Sequence, residues 1–171
     1  APEVVVWGTG NVGRPALRAV AAHDELELAG VIVSNPDKVG VDAGTLCGLE
    51  PLGVPATDDT SVATADDVDA VVYAATGDTR PEASVMDLLG VLGAGKDVVS
   101  TSFYPLLHPA MVHPDLAPFI DDVCAKSGAS VFISGIDPGW AMDILPLFLS
   151  GVCADITEIR CQELFNYAFY D

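Results

Sequence analysis

The sequence predicts an α/β fold, a parallel sheet doubly wound by helices, and three observations carry that expectation. Short apolar runs alternate with helix-patterned segments along most of the chain. The first apolar run ends in a glycine-rich turn that opens a helix. The runs themselves are nearly continuous in Val, Ile and Ala, as in strands covered on both faces rather than one.

The elements follow in order. Residues 4–7 read as a short strand ended by Gly8. Residues 12–23 read as a helix with Val12, Ala16, Ala19 and Val20 on one face; Pro15 falls in its first turn, where a missing N–H is harmless. Residues 28–33 form the second strand. Residues 34–60, rich in Pro, Gly and Asp, read mostly as loop, with a short helix near Ala43–Cys47. Residues 70–74 are a buried strand ending at Ala75-Thr76-Gly77, residues 80–93 a helix apolar on most sides, and residues 97–100 a further strand. Residues 115–126 are the clearest amphipathic helix, with Leu116, Phe119, Ile120, Val123 and Cys124 at helical spacing, Lys126 in the last turn and Gly128 as its stop. Residues 131–133 form a strand followed by the turn Gly135-Ile136-Asp137-Pro138-Gly139. Residues 156–165 read as a longer strand with nothing after it to pair with.

Bulk properties exclude several function classes. Seven basic and 25 acidic side chains give a formal charge of −18, which repels nucleic acid and anionic membrane surfaces. An excess of Asp over Glu and only three Lys fit a salt-loving or a high-GC source equally. No apolar run is long enough to span a bilayer, and the first residues lack a signal peptide's basic region, so a cytoplasmic protein is expected. Cys47, Cys124, Cys153 and Cys161 form no C-x-x-C pair and no zinc spacing; no metal is expected, and Cys124 reads as a buried structural thiol.

Gly8-Thr9-Gly10-Asn11-Val12-Gly13 matches G-x-G-x-x-G, a weak signal by itself. Between a strand and a helix it reads as the phosphate loop of a Rossmann-type dinucleotide site. Gly8 permits the tight turn, Gly10 leaves room for a pyrophosphate, and Gly13 lets the helix pack on the strand. An NAD site places an acid at the end of the second strand, about 20 residues on. Here Ser34-Asn35-Pro36-Asp37-Lys38 stands there, offering neutral donors and a cation to a 2′-phosphate. NADP is therefore the expected cofactor; Asp37 rotating into the acid's role is the route to NAD.

In open α/β sheets ligands lie beyond the carboxyl ends of strands. Ala75, Thr76 and Gly77 would leave room for ribose or nicotinamide. Thr101, Ser102 and Tyr104 are the candidate catalytic hydroxyls, with ordinary loop capping as the alternative. Pro138 and Gly139 complete the third such end. His108 and His113 precede prolines and read as solvated loop residues; Trp7 and Tyr73 read as core, and Asp58-Asp59, Asp66-Asp67 and Asp121-Asp122 as solvated acids.

Residues 4–17, Ser34 to Gly40, Cys47-Gly48 and Gly135 to Gly139 together resemble the dihydrodipicolinate reductase N-terminal-like proteins, most closely the branch with 2,4-diaminopentanoate dehydrogenase and the NAD(P)-dependent amine dehydrogenases. The resemblance covers nearly the whole chain. It implies cofactor contacts at Gly8, Gly10, Asn11, Val12 and Gly13, at Ser34, Asn35 and Lys38, and on the nicotinamide side at Pro138 and Gly139. It also implies a chain about twice as long, with a substrate and dimerisation domain. The amine dehydrogenases of the branch are expected to place a Glu after the Ser100 strand; here that loop reads Thr101-Ser102-Phe103-Tyr104-Pro105-Leu106, without an acid.

The expectations are then definite. Residues 1–150 are a dinucleotide-binding domain, and residues 151–171 begin a second domain that continues past Asp171 and forms a homodimer. The activity is hydride transfer between a nicotinamide and a C=O or C=N carbon of a small molecule. A non-catalytic NADP(H)-binding or sensing domain is the alternative.

Overall fold

Side-chain alternation along β1 (Glu3–Trp7) decides how the sheet is covered. Val4 and Val6 belong to one apolar cluster, Val5 and Trp7 to the other, and all four are buried. A strand with two dry faces must lie in the middle of a sheet with helices on both sides.

The computed structural model describes residues 1–77, 79–108, 114–164 and 166. His113, Phe165, Tyr170 and Asp171, on which sequence expectations fell, lie outside the described residues. After β1 come α1 (Gly13–Ala21), β2 (Glu27–Ile32), α2 (Ala43–Cys47), β3 (Ala56–Thr57), β4 (Ala70–Tyr73), α3 (Pro81–Gly93), β5 (Asp97–Ser100), α4 (Leu116–Ser127) and β6 (Val131–Ile133). The strands form one parallel sheet in the order β3-β2-β1-β4-β5-β6. The order reverses between β1 and β4, which is the switch point of a Rossmann fold. The expected doubly wound parallel sheet is what forms.

One core cluster joins Val5, Trp7, Val71, Tyr73 and Val98 to Leu88 and Leu92 of α3 and Ile120 of α4. The other joins Val4, Val6 and Val31 to Leu17 and Val20 of α1 and to Ala43 and Cys47 of α2. Each fully buried Val or Leu contributes about 1.5–3 kcal/mol relative to exposure. Beside α2, the Asp42 carboxylate accepts from the amides of Leu52, Gly53 and Gly44 at 2.9, 2.7 and 2.8 Å, which closes the following loop onto the helix start. These bonds, Leu52's foremost, hold its carboxyl below the usual carboxylate range.

Several expectations need correction. The buried face of α1 is Gly13, Leu17 and Val20; Ala19 and Val12 are exposed, because the helix meets the sheet through Gly13, which rotates the contact stripe. On α4, Phe119 is exposed, and the contact runs through Ile120 with Leu116, Val123 and Cys124 partly buried. Cys124 is thus half-buried rather than fully so, and burial, with Asp121 and Asp97 nearby, pushes its thiol up. The loop after β2 contains a 3₁₀ turn, Pro36–Lys38, and the two-residue strand β3, both too short to give a periodic signal. No strand forms at residues 156–164, which are exposed. A strand needs a neighbour to receive its ladder hydrogen bonds, and no described residue pairs with these.

Contacts divide the chain into two units, Ala1–Ile133 and Ser134–Asp171. The first holds the whole sheet. The second contains an irregular helical segment, Ile136–Ile144, interrupted at Asp137, Pro138 and Gly139, and then α5 (Leu145–Ser150). Among the described residues no helix is long and apolar enough to cross a membrane.

The glycines divide by what surrounds them. A Cβ on Gly13 would lie 1.9 Å from the Gly8 carbonyl oxygen, whereas one on the exposed Gly90 of α3 would meet nothing within 4 Å. Gly13→Ala should therefore destabilise by about 2 kcal/mol or more, and Gly90→Ala should stabilise by about 0.5–1 kcal/mol. Urea midpoints at constant m-value read both signs; equal shifts would contradict the packing described.

Candidate nucleotide-binding site

The site begins where β1 ends. Gly8 turns the chain at φ +110°, and its amide donates to the Ile32 carbonyl of β2 at 2.9 Å. A side chain there would strike the Ala74 carbonyl group at 2.8 Å, so the β1 and β4 ends approach only because residue 8 is glycine. Helix α1 starts at Gly13 with no side-chain cap and no acid in its first turn. The amides of Gly10, Asn11 and Val12 have no hydrogen-bond acceptor among the described residues. Uncapped amides at the positive end of a helix favour an anion.

A cleft of about 270 Å³ opens over this turn, at the switch point. Its lining includes Gly8, Thr9 and Gly10 from the turn, Ser34, Asn35 and Lys38 from beyond β2, and Ala74, Ala75 and Thr76 from beyond β4. A Cβ on Gly10 would meet no protein atom within 4 Å, so the space beside it belongs to the cleft.

Lys38 crosses from the β2 side to the turn. Its ammonium donates to the Thr9 carbonyl and to Thr9 Oγ1, both at 3.1 Å. Asn35 Oδ1 accepts from the Asp37 amide at 2.9 Å and so caps the 3₁₀ turn that carries Lys38 inward. Asp37 is exposed and does not line the cleft. Among the described lining residues there are two cations, Lys38 and Arg80, and no carboxylate. In a chain of charge −18 that makes the cleft a local exception.

The β4 and β5 ends are stapled together. Ser100 Oγ donates to the Tyr73 carbonyl at 2.7 Å and accepts from the Ser102 amide at 3.0 Å, and Ser102 Oγ donates to the Ala75 carbonyl at 2.6 Å. Gly77 admits the contact, since a Cβ there would lie 2.6 Å from the Ser102 carbonyl oxygen. Of the candidate catalytic hydroxyls, Ser102 is thus engaged in this staple, while Thr101 and Tyr104 are exposed. Tyr104, Ser102 and Gly77 also line a second, mainly apolar groove of about 320 Å³ against α3 and α4.

The remaining candidates lie elsewhere. Asn11 and Val12 are exposed and do not line the cleft; Asn11 Oδ1 accepts from Arg14 at 3.5 Å. Pro138 and Gly139 belong to the second unit, where Gly139 turns at φ +131° and its amide donates to Asp143 Oδ2 at 2.8 Å. His108 is exposed. Tyr73 is buried as expected, and so is Trp7, which also lines the cleft.

Sequence reasoning missed Thr79 and Arg80, both on the cleft wall. Arg80 was read only as the first residue of a helix. The signal that could have found it is its place just after the Ala75-Thr76-Gly77 strand end, where ligands of such sheets are met.

Comparison with known proteins accords with this geometry. The family described as dihydrodipicolinate reductase, N-terminus, matches residues 2–102. The chain is 50% identical over 170 residues to an amine dehydrogenase of Streptomyces virginiae, covering 99% of this chain and 47% of that protein. It is 26% identical over 169 residues to the 2,4-diaminopentanoate dehydrogenase of Acetoanaerobium sticklandii, covering 95% of this chain and 46% of that protein. The chain thus spans about half the length of these curated relatives. Among solved structures, the amine dehydrogenase from Mycobacterium smegmatis superimposes with a TM-score of 0.72 at 25% identity, over 91% of this chain and 45% of that one.

The open space at Gly10 gives a clean test. Gly10→Leu should leave far-UV circular dichroism and the melting temperature close to wild type, because a Cβ there meets no protein atom within 4 Å and the space beyond it is the open cleft. It should abolish nicotinamide dinucleotide binding measured by calorimetry, because the side chain fills the cleft. Wild-type affinity in the folded variant would remove this cleft as the binding site.

Proposed function

As this chain belongs to the dihydrodipicolinate reductase N-terminus family, we propose that it is the nucleotide-binding part of an NAD(P)-dependent oxidoreductase, one that moves a hydride between a nicotinamide and a C=O or C=N carbon of a small molecule. The observation that carries the reading is the meeting of three segments in one cleft: the glycine turn, the Ser34–Asn35–Lys38 loop and the end of β4. The residues present fit a dinucleotide. Uncapped amides and the dipole of α1 suit a pyrophosphate, the space beside Gly10 accommodates it, and Ser34 and Asn35 suit a ribose.

The bound nicotinamide supplies or accepts the hydride at its C4 carbon; the chain's own residues bind and orient. Ser102 acts through the backbone, holding the Ala75 carbonyl and with it the wall along which the cofactor runs. Thr101 and Tyr104 are the exposed hydroxyls of the same loop and are proposed to hydrogen-bond the substrate's polar atom. The loop from Thr101 to Leu106 has no carboxylate, so a base for amine chemistry must come from another segment. The names of the relatives, an amine dehydrogenase and a 2,4-diaminopentanoate dehydrogenase, favour an amine on one side of the reaction.

NADP is the proposed cofactor. A 2′-phosphate brings close to two negative charges toward a protein of charge −18, and a local cation must offset the repulsion. Lys38 stands beside Ser34 and Asn35 without a carboxylate partner among the described residues, and Asp37 lies outside the cleft. Charge-assisted hydrogen bonds to phosphate are worth about 1.5–3 kcal/mol each.

Lys38→Ala should weaken NADPH binding by about tenfold or more and barely change NADH. Ser34→Asp should invert the preference, since a carboxylate accepts from ribose hydroxyls and repels the phosphate. The ratio of the two dissociation constants at fixed salt reads both effects. A wild type that prefers NADH, or equal losses for both cofactors in Lys38→Ala, would end the NADP assignment. Binding without turnover of any imine, ketone or amine by the full-length protein would assign it to nucleotide sensing.

A further inference from the structure

Among the described residues three polar side chains are buried, Thr9, Ser84 and Ser100. The Ser84 and Ser100 hydroxyls donate to backbone carbonyls, that of Arg80 at 3.0 Å and that of Tyr73 at 2.7 Å. Thr9 is used differently. Its Oγ1 accepts from the Lys38 ammonium at 3.1 Å, and its carbonyl accepts from the same nitrogen at the same distance. The steric demands of the turn fall on Gly8 and Gly13, so the turn itself does not require a hydroxyl at residue 9. What the hydroxyl serves is the lysine.

A lysine at this lip needs holding. Its ammonium rides on a flexible four-carbon stem, and the chain offers it 25 acidic side chains, beginning with its exposed neighbour Asp37. A carboxylate partner would fix the ammonium and also cancel most of its charge toward an anion. Thr9 offers two neutral oxygens instead, which fix the position and leave the charge. An ammonium has three donors and no acceptor. Thr9 takes two of them, and the third is left for a ligand in the cleft.

We propose that Thr9 is a specificity-positioning residue: from inside the glycine turn its hydroxyl holds the Lys38 ammonium in place with its charge intact, and so sets the preference for a 2′-phosphorylated dinucleotide without itself touching the phosphate. The inference rests on the NADP reading above. Lys38 supplies the charge and Thr9 supplies its place. The Thr9 carbonyl is present whatever residue stands there, so the hydroxyl is the part that the sequence controls. Serine keeps that hydroxyl, and valine removes it while keeping the shape of the buried side chain.

The test measures NADPH and NADH dissociation constants for the full-length protein at fixed salt, in wild type, Thr9→Val, Thr9→Ser, Lys38→Ala and the double variant Thr9→Val with Lys38→Ala. Thermal melts confirm folding, and Thr9→Ala takes the place of Thr9→Val, with the same expectations, if the valine does not fold. Thr9→Val should weaken NADPH by about fivefold, the loss expected of one hydrogen bond, and leave NADH near wild type. Thr9→Ser should keep the wild-type ratio. In the Lys38→Ala background Thr9→Val should change neither cofactor, because the hydroxyl acts only through the ammonium. A wild-type ratio in folded Thr9→Val, equal weakening of both cofactors, or an effect of Thr9→Val that persists without Lys38 would each overturn the positioning role. A wild type that prefers NADH, or an unchanged ratio in Lys38→Ala, would instead overturn the NADP reading and this role with it.

Discussion

Gly13 lies so close to the end of β1 that a methyl group on it would sit 1.9 Å from the Gly8 carbonyl oxygen, and this contact sets where α1 begins. Everything at the site depends on that seating. It aims the uncapped first turn of the helix at the crossing of β1 and β4. It also fixes which residues of α1 meet the sheet, with Leu17 and Val20 following Gly13 at helical spacing. Gly8 makes the complementary concession on the other side, where the Ala74 carbonyl group leaves no room for a side chain. Two glycines thus bring a helix and two strand ends into a space that any larger pair would hold apart.

Around that seat, the walls are tied to one another by side chains rather than by the sheet. Lys38 links the β2 lip to the turn through Thr9. Ser100 and Ser102 link the ends of β4 and β5 through the Tyr73 and Ala75 carbonyls. Thr9, Lys38, Ala75 and Ser102 lie outside the strands, where the sheet ladder does not reach, and a site on unbraced loops would be imprecise. The bracing explains why a hydroxyl that looks catalytic in sequence, Ser102, has its bond already committed to the backbone.

The order of strands and helices was legible because continuous apolar runs and helical spacing report burial directly. Helix α2 was legible at Ala43–Cys47 from its setting between turn formers. The glycine turn was legible because each glycine answers a local steric demand. Other features depend on contacts that no local pattern encodes. Val12 and Phe119 look like core on a helical wheel and are exposed, since the wheel does not say which turn of the helix touches the sheet. Strand β3 has two residues, fewer than one period of alternation needs. The alternation in residues 156–164 is local, but pairing is not, and no strand forms there. Arg80's place on the cleft wall was hidden because its partners, Asp87 and Tyr73, lie seven residues away on either side.

Among the described residues the lining of the cleft carries no acid, and this has a kinetic consequence. A dinucleotide approaching this chain first meets the field of its net charge of −18, and only at contact meets the two cations. The Debye length is about 30 Å at 0.01 M salt and about 10 Å at 0.1 M, so added salt removes the distant repulsion well before it weakens bonds made inside the cleft. Association should then quicken as ionic strength rises, the reverse of the behaviour of proteins that draw anions in by a basic surface. For such a chain, moderate salt is a working condition of the site rather than a disturbance to it.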